Sequence, residues 1–416
     1  MTSLPMNGLF EQTRLMRAAD ALAVAVAVSL PWSTSATGIL LGLLLLALIA
    51  TLKWSELRRE VTTPVGGLPV LLVVLGVIGM AWADVTLVER WGGLPSFVKL
   101  LLIPLLLAHF RRSERGMWVF GGYLGSCVVL LVFSTVVQFV PAISFMSMHP
   151  DNVLVKNAAT QSGEFVTCIF GMLFLAVEYL ERRRWWRFVG LLAVMLGMVA
   201  NMFFVATGRT ALVIIPVLIV LFAFSKLSRM GTAILFICAI AVGVAGWLSS
   251  TYLRDRTTEL WTDYQKSEEN HTVTSSGERV EFYKKSLAFI RQAPIIGHGT
   301  GSIGALFGQV ATGKVGSAAS LSNNPHNQTF AVAIQIGLLG ALVLWAMWIA
   351  HLLLFRGSGL VAWIGLVIVV QNIVGSLFNS HLFDFVQGWV YVLGVGVAGG
   401  MALKNRAAEK STGAAP

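Results

Sequence analysis

Charge is scarce in this sequence. Asp, Glu, Lys and Arg make up 12% of the 416 residues and hydrophobic residues 56%, whereas a soluble globular chain carries about 25% charged residues. A surface wetted by water on all sides is excluded, and lipid must be the main solvent. Alternating polarity is lacking too. The stretch from Gly38 to Leu52 reads GILLGLLLLALIATL, whereas a barrel strand alternates over about ten residues, so helices must do the spanning. The three cysteines, Cys127, Cys168 and Cys238, lie inside apolar runs; they read as small core residues and imply no disulfide framework. There is no Walker or dinucleotide fingerprint, no D-x-D pair in segment 251–327, and no Ser/His/Asp or Cys/His nucleophile pattern. His271, His298 and His326 show no metal-ligand spacing, so no metal or other cofactor is expected. No internal repeat signals an inverted-repeat transporter. Met1–Thr13 lacks a basic start followed by a small-residue cleavage site, so Ala18–Leu30 reads as a retained helix.

What is present is a succession of apolar runs of roughly 20 residues. Helices are expected at 15–31, 37–52, 68–83, 95–109, 116–140, 162–180, 186–205, 208–224, 230–250, 328–355, 358–378 and 384–403, an all-α polytopic membrane protein of about twelve spans. Alternate short turns hold 18 Lys and Arg residues, among them Arg58, Arg111, Arg184 and Arg356. The opposite turns and nearby helix ends hold 4: Arg90, Lys99, Lys156 and Arg209. Positive charge stays on the cytoplasmic side of short loops, so both termini are expected there and 251–327 faces outward. The net charge of +10 is then topogenic, with no nucleic-acid partner implied. The chain divides into spans over 1–250, the outer segment 251–327, spans over 328–403 and a cytoplasmic tail 404–416, whose last residues, 407–416, read as disordered. In the outer segment, GERVEFYKKSLAFIRQ (277–292) puts Val280, Tyr283, Leu287 and Ile290 at helical spacing, and such a helix would lie on the membrane surface or the bundle mouth. The Gly-, Ser- and Ala-rich 308–324 reads as mobile loop.

Ionisable residues gather at the outer ends. Arg209, in ATGRTAL, opens a helix, where the backbone dipole favours an anion and a guanidinium grips phosphate oxygens in pairs; a snorkelling interface arginine is the plainer alternative. Arg279 falls in the first turn of the outer helix, where a cation opposes the dipole unless an anionic ligand sits there. His326, in NNPHNQTF at the return to the membrane, is positioned as a general base toward a hydroxyl. His298 lies in GHGTGS, whose glycines permit close backbone approach, a weak phosphate-turn signal. Lys99 stands near the outer end of the fourth span. His149, Lys156, His381 and Asp384 lie at other outer ends.

The order of these pieces resembles a family. A helix start ATGRTAL, a long outer segment with an Arg-bearing helix, then APIIGHGTGS, then PHNQ and IGLLG resemble the O-antigen ligase family, which also holds O-antigen polymerases and protein O-oligosaccharyltransferases. The motifs cover about 206–340. The resemblance implies a GT-C-type, metal-independent, inverting glycosyltransferase of the bacterial inner membrane. It would move polysaccharide from undecaprenyl pyrophosphate to a lipid A–core hydroxyl on the periplasmic face. Arg209 and Arg279 would bind the pyrophosphate and His326 would activate the acceptor; Lys99 and His298 match by position alone. A polymerase or protein O-oligosaccharyltransferase would share fold and donor. A lipid-linked sugar transporter would instead place charges along the midplane, and here they gather at the ends.

Overall fold

The computed structural model describes residues 6–140, 153–255, 257–258 and 273–412. The regular elements among them are all helical: α1 Met6–Ser29, α2 Thr34–Thr51, α3 Trp54–Val61, α4 Pro64–Gly79, α5 Leu87–Gly93, α6 Pro95–Val98, α7 Leu102–Phe110, α8 Gly116–Phe139, α9 Ala158–Glu181, α10 Trp185–Phe204, α11 Arg209–Lys226, α12 Arg229–Ser249, α13 Ser275–Gln292, α14 Ile303–Ala311, α15 Gln328–Leu354, α16 Leu360–Gly375 and α17 Phe385–Thr412, with short 3-10 turns at Lys99–Leu101 and Gly316–Ala319. Nine spans among the described residues are long and apolar enough to cross a membrane, α5 to α7 counting as one, and the pair α3–α4, bent by 85°, makes a tenth. The chain is an all-α polytopic membrane protein. Two further expected spans fall short on their own. α1 carries Arg14, Arg17 and Asp20, and α16 has 16 residues where about 20 are needed. Asp20 is buried and bonded to His109 Nε2 at 2.8 Å and the Ser113 hydroxyl at 2.7 Å, so its charge meets protein rather than lipid.

Two apolar cores hold the bundle. One joins α1, α2, α4, α7, α15 and α17 around Phe97, Phe110, Trp348 and Phe355. The other joins α8 to α11 and α16 around Phe165, Met198, Phe222 and Trp363. Outward side chains such as Ile39, Leu46, Phe224, Ile237 and Leu248 are exposed, as an apolar solvent allows. At one end of the bundle the basic turns tie themselves together: buried Glu60 takes Arg59 at 2.8 Å and Arg111 at 2.9 Å, and Arg406 donates to the Arg356 carbonyl at 3.0 Å.

The opposite end is capped by α13 and α14, where two expectations are corrected, and a third is corrected at the C-terminal tail. α13 buries Phe282, Ser286 and Phe289, while Val280 and Leu287 are 37% and 45% exposed. The helix seats Phe282 and Phe289 on Phe307, Ile303, Ala331 and Ile334; two large rings displace smaller aliphatics from the contact face because they bury more area. The segment 308–324 is helical through Ala311 and holds a second helical turn at Gly316–Ala319, where loop was expected. α17 continues to Thr412, through most of the tail read as disordered, because Ala, Glu and Lys there are strong helix formers.

Candidate functional site

The turn that returns the chain to the membrane is stitched to the link between α16 and α17. Asn327 caps α15 by accepting from the Phe330 amide at 3.1 Å. The Asn324 Oδ1 accepts from the His326 amide at 2.9 Å and from the Ser380 hydroxyl at 2.7 Å, while its Nδ2 donates to Asn379 Oδ1 at 2.8 Å. The Gln328 amide donates to the Ser376 carbonyl at 2.9 Å. His326 itself is held at φ +54°, a left-handed conformation costing a non-glycine residue about 1–2 kcal/mol, of the sort that persists where surrounding structure over-determines it. Its ring stacks on Phe282, and its Nδ1 is buried with no protein partner among the described residues. Burial, then the charge of Arg279, push the imidazole below its usual value, against a hydrogen bond to the Asn379 side chain and the charge of Glu278. The ring is therefore neutral at neutral pH and able to accept a proton.

Arg209 begins α11 directly after Gly208. A Cβ at Gly208 would stand 2.9 Å from the Ala159 Cα, so only glycine lets α11 start this close to α9. The Arg209 guanidinium donates to the Ser275 hydroxyl at 2.9 Å, tying α11 to the start of α13. Arg279, expected in the first turn of that helix, stands one turn further in. It is four residues beyond Ser275 and so on the same face. Burial, then the positive charge of Arg209, hold Arg279 below its usual value. Two guanidiniums and a neutral imidazole thus share one electrostatic neighbourhood. Like charges kept close repel, and an anion between them removes that cost.

The glycine segment does different work. The amides of His298 and Gly299 donate to the Ile334 and Gln335 carbonyls, each at 2.8 Å; that of Thr300 goes to the Gly79 carbonyl at 3.1 Å, and that of Gly301 to Gln335 Oε1 at 2.8 Å. With four consecutive N–H groups so committed, the geometry is that of a joint rather than a phosphate cradle. It locks onto a break in α15 at Ile336 and Gly337. Gly337 has φ +68°, and a Cβ there would stand 2.0 Å from the Ile295 carbonyl oxygen, so the break requires glycine. His298 Nε2 is 2.9 Å from the Phe289 carbonyl oxygen. Phe282 and Phe289 lie seven residues apart on α13, about 10 Å along the axis, and His326 and His298 meet one each.

Lys99 is buried and donates to the Phe383 and Asp384 carbonyls at 3.1 and 2.8 Å, linking the α6–α7 junction to the start of α17. It also lines an apolar groove with Leu45, Trp91, Leu101 and Trp389. Lys156 donates to the Leu30 carbonyl, and burial lowers its pKa against the opposing charges of Glu164 and Asp384. Burial brings His381 down to about 4 against the charge of Asp384. His149 and His271 lie outside the described residues. No group of three or more His, Cys, Asp or Glu suited to a metal occurs among the described residues. Sequence reading passed over Asn324, Asn379 and Phe282; the asparagine-dense NNPHN and the seven-residue spacing of Phe282 and Phe289 are the signals that point to them.

Residues 198–346 match the family model described as O-antigen ligase. The match takes in Arg209, Arg279, His298 and His326 and supports the O-antigen ligase family, whose members are membrane glycosyltransferase-like enzymes. The chain is also similar to latent membrane protein 2 of Epstein–Barr virus, 32% identical over 127 residues in strain GD1 and 30% in strain B95-8. That likeness covers 27% of this chain and 25% of the length of the viral proteins. Apolar spans draw on few residue types, so a quarter-length likeness of this kind carries no functional argument.

Proposed function

We propose that this chain, as a member of the O-antigen ligase family, transfers polysaccharide from undecaprenyl pyrophosphate to a sugar hydroxyl of lipid A–core at the outer face of the bacterial inner membrane. The reading rests on one observation above the others: α13 carries Arg279 between Arg209, which is tied to the start of that helix, and a neutral, half-buried His326. In the reaction an acceptor hydroxyl oxygen attacks the anomeric carbon, and the bond from that carbon to the phosphate oxygen breaks. The pyrophosphate leaves with the electron pair, and the hydroxyl proton passes to His326 and then to water. Attack opposite the leaving group inverts the anomeric centre. A pyrophosphate needs cations to hold its developing charge rather than an acid, and two guanidinium forks meet that need. Both termini are cytoplasmic in this reading, the 251–327 segment is periplasmic, and the isoprenoid lies in lipid between helices while the sugar stands in water.

Transfer by purified protein from undecaprenyl-pyrophosphate glycan to lipid A–core tests it. Extension of a second lipid-linked glycan instead would make the protein a polymerase. No turnover with either of these acceptors or with a protein acceptor would end the glycosyltransferase reading.

A further inference from the structure

We propose that the cavity beside the His326 turn is the acceptor's sugar subsite and takes an uncharged sugar ring; this rests on the glycosyltransferase reading above. The cavity encloses about 390 Å³, within the roughly 300–1,000 Å³ of small-molecule clefts. Its polar lining includes Glu89, Asn323, Asn324, Gln335, Ser380 and Asp384, and no lysine or arginine contributes to it. Lys99 reaches the Asp384 main-chain carbonyl without lining the cavity, so no cation faces the space to grip a diphosphate, which the guanidiniums of Arg209 and Arg279 suit better. Carboxylates and amides match the vicinal hydroxyls of a sugar, which donate and accept at once. These groups are held in place beforehand. The Glu89 carboxylate accepts from the Thr86 amide and hydroxyl at 2.8 and 2.7 Å, and Asp384 Oδ1 accepts from the Gln387 amide at 3.1 Å. Asn324 joins the cavity to the base: it lines the wall while its Oδ1 holds the His326 amide at 2.9 Å. Asn324 and Pro325 of the cavity wall belong to the same turn that carries His326, so a sugar bound here sits against the segment that holds the base. Glycines 92, 93, 301 and 304 complete the walls and leave the width a ring needs.

Gly92 supplies the test, because a Cβ there meets nothing within 4 Å and a larger side chain can enter the space without displacing protein. Gly92→Trp should raise KM for lipid A–core roughly tenfold or more, the scale of a lost pocket contact. KM for undecaprenyl-pyrophosphate glycan should stay within twofold, and Glu89→Gln should raise the acceptor KM alone. An unchanged acceptor KM in Gly92→Trp, or a rise in the donor KM instead, overturns the subsite. Saturation-transfer NMR with delipidated core oligosaccharide separates this from the underlying reading. A signal in wild type that Gly92→Trp abolishes supports the subsite even if turnover fails; a signal absent in wild type, or retained in the variant, overturns it.

Discussion

The imidazole of His326 lies parallel to and offset from the ring of Phe282, centroids 5.7 Å apart and planes within 8°. Phe282 meets Phe307 edge-on at 5.4 Å, Phe307 meets Phe289 at 5.4 Å, and Phe289 meets His298 at 6.4 Å. A row of rings thus runs from the proposed base to the glycine joint. The orientation of His326 is set by a helix far from it in sequence, and the row is anchored where α15 breaks.

Phe282→Leu keeps the burial and loses the stacked face. We expect kcat to fall roughly 10- to 100-fold, the cost of a misplaced catalytic group, with KM for the lipid-linked donor unchanged. Equal loss in both parameters would mean that Phe282 serves the donor site instead.

His326→Ala should lower transfer by about 10²–10⁴-fold, the worth of a general base. His326→Gly should be equally inactive and yet melt no lower than wild type, because glycine relieves about 1–2 kcal/mol of left-handed strain. Activity assays alongside thermal unfolding in detergent check both. Normal transfer by either variant removes His326 from the mechanism.

Arg209→Lys and Arg279→Lys keep the charge and lose the fork. Each should reduce kcat/KM for the donor roughly 10- to 100-fold, matching about 1.5–3 kcal/mol for a hydrogen bond to a charged group. Full activity in the lysine variants would show that charge alone suffices.

Activity should fall as pH drops through the His326 pKa, because protonation removes the base, and that midpoint should lie below the usual 6.5 of histidine. Part of the depression comes from Arg279. Arg279→Gln deletes a positive charge, so the pKa rises and the acidic limb of the residual activity moves to higher pH. A limb that stays in place, or moves lower, would separate the two side chains.

A chelator should leave transfer unchanged, since the proposed chemistry draws on arginines for charge stabilisation. Loss in EDTA that magnesium or manganese restores would require a metal in the site.

Much of the fold is legible in the chain because lipid imposes a coarse rule. Apolar length marks most spans, and the charged residues at the helix ends mark their boundaries, as Arg209 and Lys226 do for α11. Finer features escaped because they depend on partners. The contact face of α13 follows from Phe307 and Ile334, which lie outside its own periodicity. The glycine segment from 297 to 301 looks like an anion turn until its amides are seen to end on α15 and α4.

By itself the sequence determined a helical bundle solvated by lipid, with its polar chemistry concentrated in one segment, because apolar length and charge spacing are one-dimensional quantities. Tertiary structure alone decided that Arg209 acts on Arg279 and Arg279 on His326, that Asn324 holds the His326 backbone while Asn379 bonds its ring, and that an acidic cavity opens beside that turn. The physical reason is that electrostatic neighbourhood and enclosed volume depend on distance in space, and segments more than a hundred residues apart along the chain meet only once the bundle has packed.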